Sequence, residues 1–272
     1  MRTTILIPVL TLLLTAACGQ ATEPTRTHDI VPEDYFDLIG LGNLAVSPDG
    51  AWIAHTESRW GSGKEGRSGD LWVVSRDGRE RRRLTFDGLG PSGVVWAPAG
   101  PAGRNGKAGQ AIWFLGREDA DGDSPPRDGS RQVWRIDPAG GAPLPVTRAE
   151  KGVLDVAVAP DGASLYYKVA RDHSDEDWRD MRTRYADLEY GHGERSLHAV
   201  RRLDLATWRD EEVLPADQVI WEMALSPDGH RLALITTDDN ELIFKEGWSR
   251  VEVADLATGA VTDVTGADWR EG

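Results

Sequence analysis

Short apolar runs alternating with polar residues cover most of this chain, and the same kind of turn breaks them each time. Leu44-Ala45-Val46 runs into Ser47-Pro48-Asp49-Gly50, and Trp52-Ile53-Ala54 follows. Val94-Val95-Trp96, Ala97-Pro98-Ala99-Gly100 and Ile112-Trp113-Phe114 repeat the phrase in degenerate form. Val156-Ala157-Val158, Ala159-Pro160-Asp161-Gly162 and Leu165-Tyr166-Tyr167 write it a third time. Met223-Ala224-Leu225, Ser226-Pro227-Asp228-Gly229 and Leu232-Ala233-Leu234-Ile235 write it a fourth. Alternation with period two predicts strands that bury one face. In the turn, proline presets φ, aspartate folds its carboxylate onto the local backbone, and glycine takes the positive φ that closes a hairpin.

Each repeat has an equally regular second half. A third strand reads Asp70-Leu71-Trp72-Val73-Val74, then Gln132 to Asp137, Ala199 to Asp204 and Arg250 to Asp255. A turn follows each, and a fourth strand ends at Leu84-Thr85, Val146-Thr147, Val213-Leu214 and Val264-Thr265. Four antiparallel strands per repeat, with turn prolines at steps of 50, 62 and 67 residues, predict an all-β chain built as blades of a β-propeller. The blades are expected over about residues 44–85, 94–147, 153–214 and 219–265, within a partial propeller spanning 31–272. The longer insertions, 57–69, 116–131 and the highly charged 170–196, fall between second and third strands, where loops vary without disturbing a sheet. The register makes a fifth turn proline due near position 278, so residues 266–272 read as the start of a fifth blade and the chain as a fragment.

The first 20 residues follow a different pattern. Arg2 supplies a positive n-region, Ile5 to Leu14 a short apolar stretch, and Thr15-Ala16-Ala17 small residues before Cys18, the single cysteine. The apolar run is too short to span a bilayer comfortably and reads as a secretory signal. The position of Cys18 resembles a bacterial lipoprotein signal over residues 1–18, with the cysteine as the lipidated first residue of the mature chain; an ordinary cleaved signal is the alternative. Residues 19–30 read as a polar tether, and Pro32 to Leu38 as the start of a short helix. The formal net charge of −14 argues against nucleic acid as a partner, since phosphate binding needs clustered basic residues. The one tight basic cluster, Arg81-Arg82-Arg83, is expected on a solvated strand face.

The succession of Ser-Pro-Asp-Gly hairpin, Asp70-Leu71-Trp72 strand, glycine turn and Arg82-Arg83-Leu84-Thr85 strand resembles the N-terminal propeller of the prolyl oligopeptidase family of serine peptidases. The likeness is nearer to its bacterial dipeptidyl- and acylaminoacyl-peptidase-like members. The opening Val31-Pro32-Glu33-Asp34-Tyr35-Phe36-Asp37-Leu38 fits that beginning, as does the insertion from Trp178 to Tyr190 leading into Leu197. The resemblance covers about residues 30–272, and periplasmic Tol-Pal-type propellers carry the same hairpin phrase. It implies seven or eight blades capping an α/β-hydrolase domain with a Ser-Asp-His triad, its serine in Gly-x-Ser-x-Gly. That pentapeptide is absent; Gly66-Arg67-Ser68-Gly69-Asp70 and Gly90-Pro91-Ser92-Gly93-Val94 both fail at the spacing. No catalytic residue carries over, and a peptide substrate would be cleaved by a domain outside this sequence.

Other chemistry is weaker. Asp119-Ala120-Asp121-Gly122-Asp123 alternates carboxylates as a calcium loop does, but Ser124 and Ser130 stand where that loop needs glycine and glutamate, so a solvated acidic loop is expected. His173, Asp175 and Asp177 lack ligand spacing; no metal site and no cofactor are expected. In dipeptidyl-peptidase-like relatives, acidic residues of a propeller insertion hold the substrate's amino terminus, and here Glu189 or Glu194 could do so by charge-assisted hydrogen bonds. An exposed helix laced with salt bridges, such as Asp180 with Arg184, explains the same composition. The reading is thus an exported, lipid-anchored propeller portion of a serine exopeptidase, with an envelope propeller that binds a protein partner as the alternative.

Overall fold

A computed structural model of the chain describes residues 28–63, 66–86, 88–98, 109–119, 121–171, 180, 183–186, 196–237 and 249–266. The chain divides into two compact units, residues 1–35 and 36–272. The Val31 N–H donates to Asp34 Oδ2 at 3.0 Å at the head of a 3-10 turn, Pro32–Asp37. This six-residue turn buries no side chain, which is why it stays 3-10 rather than growing into an α-helix.

The second unit holds four four-stranded antiparallel sheets, each with its strands in chain order. The first comprises β1 (Gly40–Val46), β2 (Trp52–Trp60), β3 (Arg67–Ser75) and β4 (Arg81–Arg83). The second comprises β5 (Ser92–Pro98), β6 (Gln110–Asp119), β7 (Asp128–Ile136) and β8 (Leu144–Pro145). The third comprises β9 (Asp155–Val158), β10 (Ser164–Arg171), β11 (Leu197–Asp204) and β12 (Asp210–Leu214). The fourth comprises β13 (Val219–Leu225), β14 (Arg231–Thr237), β15 (Arg250–Asp255) and β16 (Val261–Asp263). This is a β-propeller-like arrangement of blades.

The turn chemistry works as its residue types require. Ser47 Oγ donates to Asp49 Oδ1 at 2.6 Å while accepting the Trp52 N–H, and Asp49 Oδ1 also takes the Ala51 N–H. Ser226 and Asp228 repeat the arrangement, and so do Ser75 and Asp77 in the second hairpin of the first sheet. The serine hydroxyl, then the backbone N–H, holds each of these aspartates below the usual carboxylate range. The blade-ending threonines have a matching role. Thr85, Thr147 and Thr265 each accept, on Oγ1, a backbone N–H at the third strand of their sheet, at 2.9, 2.9 and 2.8 Å.

Between consecutive sheets lie three apolar cores. Alternation along β6 sends Ile112 and Phe114 to the first sheet, against Ala54, Leu71 and Val73, and Trp113 and Leu115 to the third, against Leu165, Tyr167 and Ala199. The third core joins Tyr166 and Val200 to Ile220, Leu232 and Leu234. A fully buried side chain such as Phe114 contributes roughly 1.5–3 kcal/mol, so every sheet draws much of its stability from its neighbour.

The two outermost faces differ. On the first sheet, Glu57 is buried beneath Arg81, with His55 Nε2 at 3.2 Å and Arg59 Nη2 at 3.3 Å. Burial alone would raise its carboxyl, but hydrogen bonds from His55 and Arg81 outweigh that and hold it low. The basic cluster is not simply solvated: Arg81, Arg82 and Arg83 lie over Trp72, Trp52 and Phe86 at 4.2, 4.6 and 4.7 Å, because a guanidinium can stack on an aromatic face. On the fourth sheet the outer face carries exposed Ala233 and half-buried Ile235, Val251 and Val253.

Candidate functional site

The first strands, β1, β5, β9 and β13, each form one edge of their sheet and stand side by side in that order. Their pairing is irregular in three sheets: a bulge falls between Gly42 and Ala45, between Ser92 and Val95, and between Ile220 and Glu222. A bulge re-aims side chains and frees backbone groups, so these edges carry the unusual polar geometry of the molecule.

Five residues before each turn proline stand Asn43, Gly93, Asp155 and Glu222. Asn43 and Gly93 adopt the left-handed region at φ 51 and 57. Asn43 Oδ1 accepts the Gly93 N–H at 2.9 Å, joining the first strand of one sheet to that of the next, and its Nδ2 donates to Thr56 Oγ1 at 3.1 Å. Asp155, at the same position of β9, is drawn down by the Met223 N–H of β13 and accepts the Val156 N–H at 2.8 Å. Gly93 has no side chain with which to do the same.

Beside this rung sits a buried charged cluster. Lys168, 6% exposed, donates from Nζ to the carbonyls of Ile220 and Trp221, both at 2.9 Å, at the bulge of β13. His198 Nδ1 accepts the Ile220 N–H at 2.9 Å, so both backbone polar groups of Ile220 are claimed from the third sheet. Burial pushes the Asp155 carboxyl up against the pull of the Val156 N–H and Lys168, pushes Lys168 down, and, together with the Lys168 charge, pushes His198 down. Along the first strands large apolar side chains are exposed: Leu41, Leu44 and Val46 on β1, and Trp221 on β13. A cavity of about 360 Å³ opens at β1, walled by the backbone of Gly40, Gly42 and Gly90 and by Asn43 and Thr56. Apolar projections, carboxylates and open backbone together suit a peptide or protein segment.

Cys18, Glu189 and Glu194 lie outside the described residues, as do His173, Asp175 and Asp177. Asp180 and Arg184 are helical, but among the described residues no ion pair joins them. Ser68 pairs across β2 with Arg59, and Ser92 opens β5. The His55 ring goes to Glu57 rather than to a serine. Among the described residues no group of three or more His, Cys, Asp or Glu is placed to hold a metal ion. Sequence reasoning missed Lys168, His198, Asp155 and Asn43. The available signals were a lysine inside the apolar run Leu165 to Val169 and the constant offset of Asn43 and Asp155 from the turn proline.

No protein-family model and no curated protein matches the chain. Solved structures do. TolB from Acinetobacter baumannii superposes with a TM-score of 0.53 at 16% identity, over 83% of this chain and 43% of that one. A putative TolB from Agrobacterium tumefaciens gives 0.50 at 18%, over 82% and 64%. An acylaminoacyl peptidase from Pyrococcus horikoshii gives 0.52 at 10%, over 85% and 33%. The chain therefore spans less than two thirds of each of these proteins, and at such identities the likeness is one of fold.

Proposed function

We propose that this chain is the substrate-admitting propeller portion of an exported serine exopeptidase of the prolyl oligopeptidase type, with bond cleavage performed by a hydrolase domain beyond these residues. The observation that supports it is the row of first strands β1, β5, β9 and β13, with Leu41 and Leu44 exposed on β1, Asp155 on β9, and Trp221 and Glu222 on β13. Apolar side chains there would hold peptide side chains, and the carboxylates would meet an amino terminus. The fold likeness to an acylaminoacyl peptidase agrees with this reading. In the same reading Cys18 carries a lipid that keeps the protein at the cell envelope, and Glu189 or Glu194 holds the substrate's amino group.

The likeness to TolB favours a second reading equally: an envelope propeller that binds a protein partner without catalysis. Capture of the native protein from cell membranes separates the two. Hydrolysis of dipeptidyl or acyl-peptide chromogenic substrates by the captured material supports the peptidase; a stoichiometric envelope protein without hydrolysis supports the scaffold. A Cys18→Ser change releases the protein from the membrane fraction or stalls its processing, and an unchanged distribution removes the anchor.

A further inference from the structure

Away from the edge strands, a cavity of about 540 Å³ lies where the connection between β8 and β9 crosses the third sheet. Its walls come from four places in the chain: Arg148, Glu150 and Lys151 on the connection, Tyr167 and Arg171 on β10, Arg201 on β11 and Asp210 on β12. Gathering three arginines into one cavity is costly through mutual repulsion unless anions offset them.

The cluster is ordered from its floor. Tyr167 is buried and its hydroxyl donates to Asp210 Oδ2, while Arg201 Nε donates to Asp210 Oδ1 at 2.9 Å. Both oxygens of Asp210 are thus occupied. Glu212 takes Arg171 Nη2 at 2.5 Å and lies 3.8 Å from Arg201 Nη1. These bonds fix the positions of Arg171 and Arg201 and spend most of their charge. Arg148 is different: it lines the same cavity, yet among the described residues it makes no hydrogen bond or ion pair. Val169 and Ala170 supply an apolar wall beside it.

We infer that this cavity is a binding site for a small monocarboxylate with an apolar body, the carboxylate forked by Arg148 and the body laid against Val169. A planar guanidinium pairs with a carboxylate through two parallel N–H bonds, and among the arginines of the cavity Arg148 is the one left to do so. A phosphate dianion would need the charge that Arg171 and Arg201 already give to Glu212 and Asp210. The volume falls in the range that holds small organic ligands. Two sources offer this chemistry, the carboxyl end of a short peptide and a free organic acid. The inference stands whichever of the two readings of function is correct.

Isothermal titration of the full chain tests it with three probes: N-acetyl-trialanine, its C-terminal amide, and butyrate. The acid is expected to bind at least tenfold more tightly than the amide, and Arg148→Gln to weaken the acid at least tenfold. Because Arg148 is exposed and unpaired, that variant should fold, and Arg79→Gln, on a turn of the first sheet, should bind as the parent does. Peptide acid tighter than butyrate assigns the site to a chain end; equal binding assigns it to a free acid, and both support a carboxylate site. Equal binding of acid and amide, no binding of any probe, or an unaffected Arg148→Gln would overturn it.

Discussion

Replacing Lys168 with methionine removes the cation from the seam between the third and fourth sheets while keeping most of the side chain's volume. The Nζ group makes two hydrogen bonds of 2.9 Å to main-chain carbonyls at the bulge of β13, and the side chain is 6% exposed. Each carbonyl left without a donor costs about 1–3 kcal/mol, and a buried charged group that loses its counterpart typically costs about 3–5 kcal/mol in all. Sparing the desolvation of a buried ammonium returns part of this. That desolvation is substantial, since burial depresses the Lys168 pKa. The net expectation is a loss of about 3 kcal/mol, or a fall in Tm of about 6–12 °C for a domain of this size. Asp155 is the natural second site, because its carboxylate is drawn down by Lys168 against the upward push of burial. Asp155→Asn alone should cost about 1 kcal/mol, and in the double variant the two losses should fall short of their sum by about 1 kcal/mol. Calorimetric melts of the four proteins measure all of this. A Lys168→Met protein melting within 2 °C of the parent, or strictly additive losses, would refute the view that the cation holds the bulge.

Three further outcomes follow from the same geometry. Asn43→Ala should cost about 2 kcal/mol, from a left-handed φ and a lost link to Gly93, whereas Asn43→Gly should cost less by urea unfolding; equal losses would remove the conformational part. Thr147→Val leaves the buried Val133 N–H unpaired and should cost about 1–3 kcal/mol, while Thr147→Ser should retain most of the stability; equal losses would deny the hydroxyl its role. His198 has a folded pKa below its unfolded value of 6.5, so below that pH the unfolded chain takes up a proton the folded one resists, and stability falls as pH drops. His198→Asn keeps an acceptor for the Ile220 N–H without titrating; the loss of stability between pH 7 and 5 should shrink in that variant, and an unchanged slope would assign it to other groups.

The sheets were legible because their information is local and repeated. Proline, aspartate and glycine at fixed offsets specify the turns at 47–50, 159–162 and 226–229, and the flanking alternation specifies which face is buried. The threonines at 85, 147 and 265 could be read as strand ends, but not as acceptors, since the N–H each one binds lies 14 residues earlier in sequence. The edge site was illegible for a different reason. Asn43, Gly93, Asp155 and Glu222 share a position but not a residue type, and a bulge leaves no signature in hydrophobic period. Lys168 sits in an apolar run, and only packing against the fourth sheet shows that its charge is turned inward rather than to solvent. The cavity at Arg148 depends on residues from four separate segments, which no spacing rule connects.

The proposed function rests on chemistry supplied from outside these residues, and one measurement addresses that most directly. The native protein, captured from membranes by an antibody against the four sheets, is treated with a fluorophosphonate probe and digested, and the labelled serine is located by mass spectrometry. The account predicts a labelled serine in a Gly-x-Ser-x-Gly sequence joined to this chain and beyond position 272. Absence of labelling, or a label on any serine within these residues, would contradict it.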